Sequence, residues 1–155
     1  MTFRSARVAA ATLLLFVLAG CEVPVMIAAE KNQGQMSGAF EITFPAAMYV
    51  QTNKFDPLTY TGTLIGKANG ASSWHLTHPE LGGCTGHLSN KGKGHINCDT
   101  GVTLPISRDP DERIKMSGIE IIRGTTQDLS YKVAFGWGNM GNVAAVQAAA
   151  LAATD

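Results

Sequence analysis

Charge is scarce in this sequence. Only 15% of its 155 residues are Asp, Glu, Lys or Arg, against about 25% in an ordinary globular chain, and 12 basic residues balance 12 acidic ones. No basic stripe is available to follow a phosphate backbone, so nucleic acid is excluded as a partner. A hydrophobic share of 45% excludes a solvated, disordered chain. Apolar runs are short: Val8–Leu18 spans 11 residues, whereas a bilayer-crossing helix needs about 20. Catalytic signatures are missing too. There is no G-x-S-x-G elbow, and local spacing brings no Ser, His and Asp together. Gly136, Gly138 and Gly141 fit G-x-G-x-x-G, but no strand follows and no acidic residue lies some twenty positions on, so they read as a turn. The expectation is that the chain is not an enzyme.

What the sequence does have begins at its amino end. Arg4 and Arg7 precede the short apolar run, the layout of a secretory signal peptide. The run ends in Leu18-Ala19-Gly20-Cys21, which resembles the lipobox of bacterial lipoproteins. That resemblance implies removal of residues 1–20 and a diacylglycerol thioether on Cys21, with further acylation of the new amine by a chain such as palmitate. Each buried acyl CH₂ contributes about 0.8 kcal/mol, so two or three chains anchor stably where one does not. Within that class an Asp after the Cys favours inner-membrane retention. Here the residue is Glu22, which points to the outer membrane, with the domain facing the periplasm.

Lipid on Cys21 resolves an odd count of 3 cysteines, leaving Cys84 and Cys98 to pair in an oxidising compartment. The intervening segment reads as a hairpin turning on Asn90-Lys91-Gly92, with Gly at the left-handed position of a type I turn plus G1 bulge. In that register Ser89 faces Lys93, His87 faces His95 and Cys84 faces Cys98. Cys84, Gly86, Leu88, Gly94, Ile96 and Cys98 share one face, as strand alternation requires.

Alternation with a period of two recurs along the chain. It covers Phe40–Phe44, which Pro45 is expected to end or place at an edge, then Leu58–Leu64, the Trp74–Leu76 region and Val102–Ile106. It is cleanest over Leu129–Trp137. Ile114 and Met116 stand in opposite phase to Ile119 and Ile121, so a bulge is expected at Gly118. The pattern predicts a mainly β domain, a small antiparallel sandwich or barrel of about eight strands, with an Ala-rich C-terminal helix capped by Asn142. The expected layout is a lipidated Cys and tether over residues 21–36, the β domain over 37–138, and the helix over 139–155. Val143, Val146, Ala150 and Leu151 are expected to pack on the sheet.

Four histidines are the remaining chemical candidates. The Cys84, His87, His95 and Cys98 palindrome superficially suggests a Cys₂His₂ zinc site, but an offset of three puts Cys and His on opposite faces of each strand. His87 and His95, opposed across the hairpin, remain a candidate site for a weakly held divalent metal, with His75 on a neighbouring strand; solvated strand residues are the simpler reading. Otherwise no cofactor is expected. Trp74 and Trp137 fall on inward faces, as core residues or as the walls of a ligand groove. Ser107–Arg113 reads as a charged, solvated loop. Taken together these features imply a lipid-anchored cell-envelope protein with a non-catalytic binding or structural role and an envelope protein as partner. A periplasmic small-ligand or metal-ion binder is the alternative, and an envelope enzyme comes third.

Overall fold

The computed structural model describes residues 23–109, 115–126 and 129–153; the segment read as a signal peptide, Cys21 and most of the charged loop Ser107–Arg113 lie outside them. A helix, α1 (Val23–Lys31), is followed by strands β1 (Gln35–Gly38), β2 (Glu41–Thr52), β3 (Leu58–Lys67), β4 (Ser72–His78) and β5 (Gly82–Leu88). Then come β6 (Lys93–Cys98), β7 (Thr103–Ser107), β8 (Gly118–Thr126), β9 (Leu129–Trp137) and a closing helix, α2 (Val143–Ala152). Strands β2 to β7 form an antiparallel meander, β8 and β9 form a hairpin, and β9 returns to pair with β2. The result is a nearly closed eight-stranded barrel with one seam, between β7 and β8. Leu104, Ile106, Met116 and Ile122 from either side of that seam still share one core.

The turns follow from their residues. Gly92 adopts φ 73° and donates its N–H to the Ser89 carbonyl at 3.0 Å, a left-handed position that glycine occupies without a Cβ penalty. Cys84↔Cys98, Gly86↔Ile96 and His87↔His95 are then opposed, the register read from sequence. The Cys84–Cys98 disulfide closes across it, with Cα atoms 4.0 Å apart.

Alternation sorts the barrel into an apolar inside and a polar outside. Met48, Leu76, Ile96 and Val133 point inward at 0–1% exposure. The outer rows of β3 to β7 expose Thr61, Thr63, His75, Thr77, Thr85, His87, Asn97 and Thr103. A transmembrane barrel reverses this, carrying its apolar band outward. Among the described residues no helix is long and apolar enough to cross a membrane.

Four expectations change. Strand β2 does not end at Pro45; it runs through it to Thr52. On one edge β2 pairs with β1 up to Thr43 and with β9 from Ala46, so the proline sits where the ladder is interrupted and its missing N–H is tolerated. The described part of residues 21–36, read as an irregular tether, carries α1 and the start of β1. No bulge forms at Gly118: the β8–β9 register runs unbroken from Gly118↔Trp137 to Thr126↔Leu129. Ile119 and Ile121 instead point outward and pack beneath α2 with Ala47, Tyr49 and Ala134. That helix is capped as expected, the Asn142 Oδ1 accepting from the Ala145 N–H at 3.0 Å. It buries only Val146 and Ala150, one turn apart on one face, while Val143 and Leu151 stay 37% and 73% exposed.

Candidate functional site

An eight-stranded barrel is just wide enough to be filled by side chains or to hold one small ligand. Here the two ends solve that choice differently. Across the middle, Leu76 and Val133 are fully buried and line neither end cavity.

One end collects the carboxyl half of β2, the starts of β3, β7 and β9, and the end of β6. It holds a cavity of about 410 Å³ walled by Met48, Val50, Leu58, Tyr60, Val102, Leu104, Leu129 and Tyr131, with Cys98 beside them. Phe55 and Leu81 complete the lining and stand 64% and 37% exposed. The size falls within the range of small-molecule pockets, and such pockets are mostly apolar. The polar members of the lining are Thr52, Asp56 and Thr100, with the hydroxyls of Tyr60 and Tyr131. Nearby, the Asp99 carboxylate accepts the Gly83 N–H at 2.6 Å, tying the start of β5 to the β6–β7 turn. His78 Nδ1 accepts the Glu80 and Leu81 N–H groups at 3.2 and 3.3 Å, and its ring lies 5.4 Å from that of Tyr60. Burial, and after it the charge on Asp99, push the Tyr60 phenol above its ordinary range, so the hydroxyl is neutral at physiological pH.

The other end is built from the start of β2, the ends of β3, β7 and β9, and the starts of β4 and β8. Phe44, Trp74, Phe135 and Trp137 converge here and leave about 80 Å³. Trp74 and Phe135 lie 5.4 Å apart, Phe135 and Trp137 6.2 Å. The two tryptophans singled out from sequence thus line one cavity. Trp137 donates its indole N–H to the Lys115 carbonyl at 2.9 Å. Charge gathers at this end as well, with Lys67, Arg108, Lys115 and Glu120 in the lining. Arg108, read as part of a solvated loop, folds in and donates from Nη2 to the Gly70 carbonyl at 3.1 Å.

The hairpin histidines are elsewhere. His87 and His95 stand edge to face on the outer surface of β5 and β6, ring centroids 4.4 Å apart. His75 is on the same surface of β4, opposite Thr85 rather than His87. Among the described residues no group of three or more His, Cys, Asp or Glu is placed to hold a metal. The four-ligand zinc arrangement is also closed off, because both cysteine sulfurs are in the disulfide. Asp111 and Glu112 of the acidic loop, and Cys21, lie outside the described residues.

Sequence reasoning missed the apolar mouth. The available signal was the run Met48, Val50 and Thr52 continuing the phase of Phe44 past Pro45, which the proline obscured. The charged lining of the aromatic end had its own signal in Glu120 between Ile119 and Ile121, because alternation makes one member of that row face inward. No protein family, no curated protein and no solved structure matches the chain.

Proposed function

We propose that this chain is a lipid-anchored envelope protein whose barrel binds a small apolar ligand without catalysis. The observation that carries the reading is the cavity of about 410 Å³ at one mouth, walled by aliphatic and aromatic side chains. Such a wall favours a hydrocarbon ligand by removing its surface from water, at roughly 25 cal/mol per Å². Phe55 at the rim supports a route for that ligand, since an exposed ring beside a cavity is a transient contact for an apolar molecule. The lipobox resemblance at Cys21 supports the anchor, and Glu22 after it supports the outer-membrane placement.

The test is titration of the purified full-length protein with a neutral naphthylamine fluorophore, followed by displacement with a medium-chain alcohol. Saturable enhancement reversed by the alcohol is expected. A linear, unsaturable response defeats the binding reading. Mass spectrometry of the amino-terminal peptide tests the anchor separately, an acyl-free residue 21 removing it.

A second reading rests on the facing His87 and His95 rings, 4.4 Å apart, which support a two-imidazole site for a divalent ion. Stoichiometric Cu²⁺ or Zn²⁺ binding lost in His87→Ala is its signature.

A further inference from the structure

Two buried donors at the aromatic end have no acceptor. Trp74 is 7% exposed, and among the described residues its Nε1–H and the Arg108 Nε–H are both buried without a hydrogen-bond partner. A buried donor left unmade costs about 1–3 kcal/mol, more where the group is charged, and such groups in native proteins call for an acceptor from water, an ion or a ligand. Both residues wall the same cavity of about 80 Å³.

The donors belong to different elements, and their residues come to one cavity only because the barrel curls. Trp74 is in β4 and Arg108 follows β7, held over the β3–β4 turn by its Gly70 contact. The indole lies flat on Gly86, where a Cβ would come within 2.5 Å of Cε2 and Cζ2. That glycine sets the depth of the ring. Of the cations in the lining, Lys67 is taken up by Glu41 at 2.9 Å. Arg108, Lys115 and Glu120 are the other charged side chains in the lining among the described residues, and the Arg108 guanidinium brings its charge to the cavity together with its unmade donor. Around them are apolar walls, including Phe135 and Ile122.

We propose that this mouth binds a small carboxylate bearing a short apolar group, its oxygens accepting from Trp74 Nε1 and Arg108 Nε and its carbon end against the aromatic rings. An anion on guanidinium and indole N–H groups makes charge-assisted hydrogen bonds, about twice as strong as neutral ones. The volume limits the ligand to a few heavy atoms. The site is independent of the apolar mouth, with Leu76 and Val133 between them.

The chain's 2 tryptophans both line this cavity, so intrinsic fluorescence reads it directly. The full-length protein is titrated with formate, acetate and propionate at constant ionic strength, and in parallel with nitrate and inorganic phosphate. A saturable change with acetate or propionate, weaker with nitrate and phosphate, is expected. Trp74→Phe keeps a ring and removes the donor, and Trp137 still reports; affinity falls about tenfold. Arg108→Gln removes the charge as well, for a loss of about a hundredfold. Arg108→Lys keeps the charge and loses the guanidinium donors. It stands on the barrel rim, so it serves where the Trp74 variant does not fold, and a weakened response is again expected. The proposal fails if no anion gives saturation, which leaves water as the acceptor. It also fails if both Arg108 variants bind like the parent, or if phosphate and nitrate match acetate.

Discussion

The two mouths of the barrel share the same strands yet differ in what the strands deliver. On β2, Phe44 reaches one end while Met48 and Val50 reach the other. At the first, four large rings fill the bore to about 80 Å³. At the second, mostly aliphatic side chains and two tyrosines leave about 410 Å³. The charged side chains differ as well. Lys67, Arg108, Lys115 and Glu120 crowd the tight end, whereas among the described residues the lining of the wide one holds Asp56, with Asp99 nearby. Alternation decides which residues face in, but their size and polarity decide whether an end is plug or pocket. Since Leu76 and Val133 close the middle, each end is free to specialise.

The largest expected effect comes from the staple beside the wide mouth. Replacing Cys84 and Cys98 together by Ser is expected to lower unfolding free energy by about 3 kcal/mol in urea melts, the chain-entropy value for a loop of this length. Cys98 lines the apolar cavity, so the variant is also expected to bind the naphthylamine probe more weakly while keeping its response to acetate. Equal losses at both mouths would mean that the ends are coupled.

Next come two substitutions that close one mouth each. Val50→Trp is expected to abolish binding of the apolar probe with the melting temperature held or raised, since it fills existing space. Gly66→Val addresses the other end: a Cβ there meets its nearest neighbour, Phe44, at an ordinary 3.8 Å. The expected outcome is loss of the acetate response with the apolar probe unaffected. Paired titrations of the two variants read both mouths, and a crossed result would break the separation.

How much of this was legible beforehand depends on the distance over which each feature is decided. The β5–β6 hairpin was legible in full, because Asn90-Lys91-Gly92 fixes the turn and the turn fixes every facing pair down to Cys84 and Cys98. The Asn142 cap was legible for the same local reason. The Gly118 bulge was a misreading with a physical cause. Ile119 and Ile121 are apolar on the outer face because α2 covers them, and a single strand does not reveal a helix arriving on its back. Leu151 misled in the opposite sense, being apolar and 73% exposed. Barrel closure through β2 and β9 joins segments far apart in the chain, so the meeting of Trp74, Arg108 and Trp137 could not be read from spacing.

Helix α2 offers a smaller effect and a control. Asn142→Ala removes the cap acceptor for the Ala145 N–H and is expected to cost about 1 kcal/mol. The helix lies over β2, β8 and β9 on the outside, so both ligand responses should persist at temperatures where the variant is folded. A change at only one mouth would show that α2 positions that end.

The smallest effect is confined to alkaline solution and belongs to the wide mouth alone. Burial and the nearby Asp99 raise the Tyr60 phenol above its ordinary pKa, which lies near 10. The folded state therefore holds the Tyr60 proton to higher pH than the unfolded chain does. The stability tied to that difference is fully present below about pH 10 and is lost as pH rises through the elevated folded value. Where the phenolate does form in the folded protein, it places a charge in an apolar wall, so affinity for the naphthylamine probe should fall over the same interval. Tyr60→Phe should flatten that part of both profiles. Tyr131, on the same wall, is left in place, so any slope that survives belongs to other groups. If Tyr60→Phe retains the parent's alkaline loss of probe binding, Tyr60 is not the group that sets it.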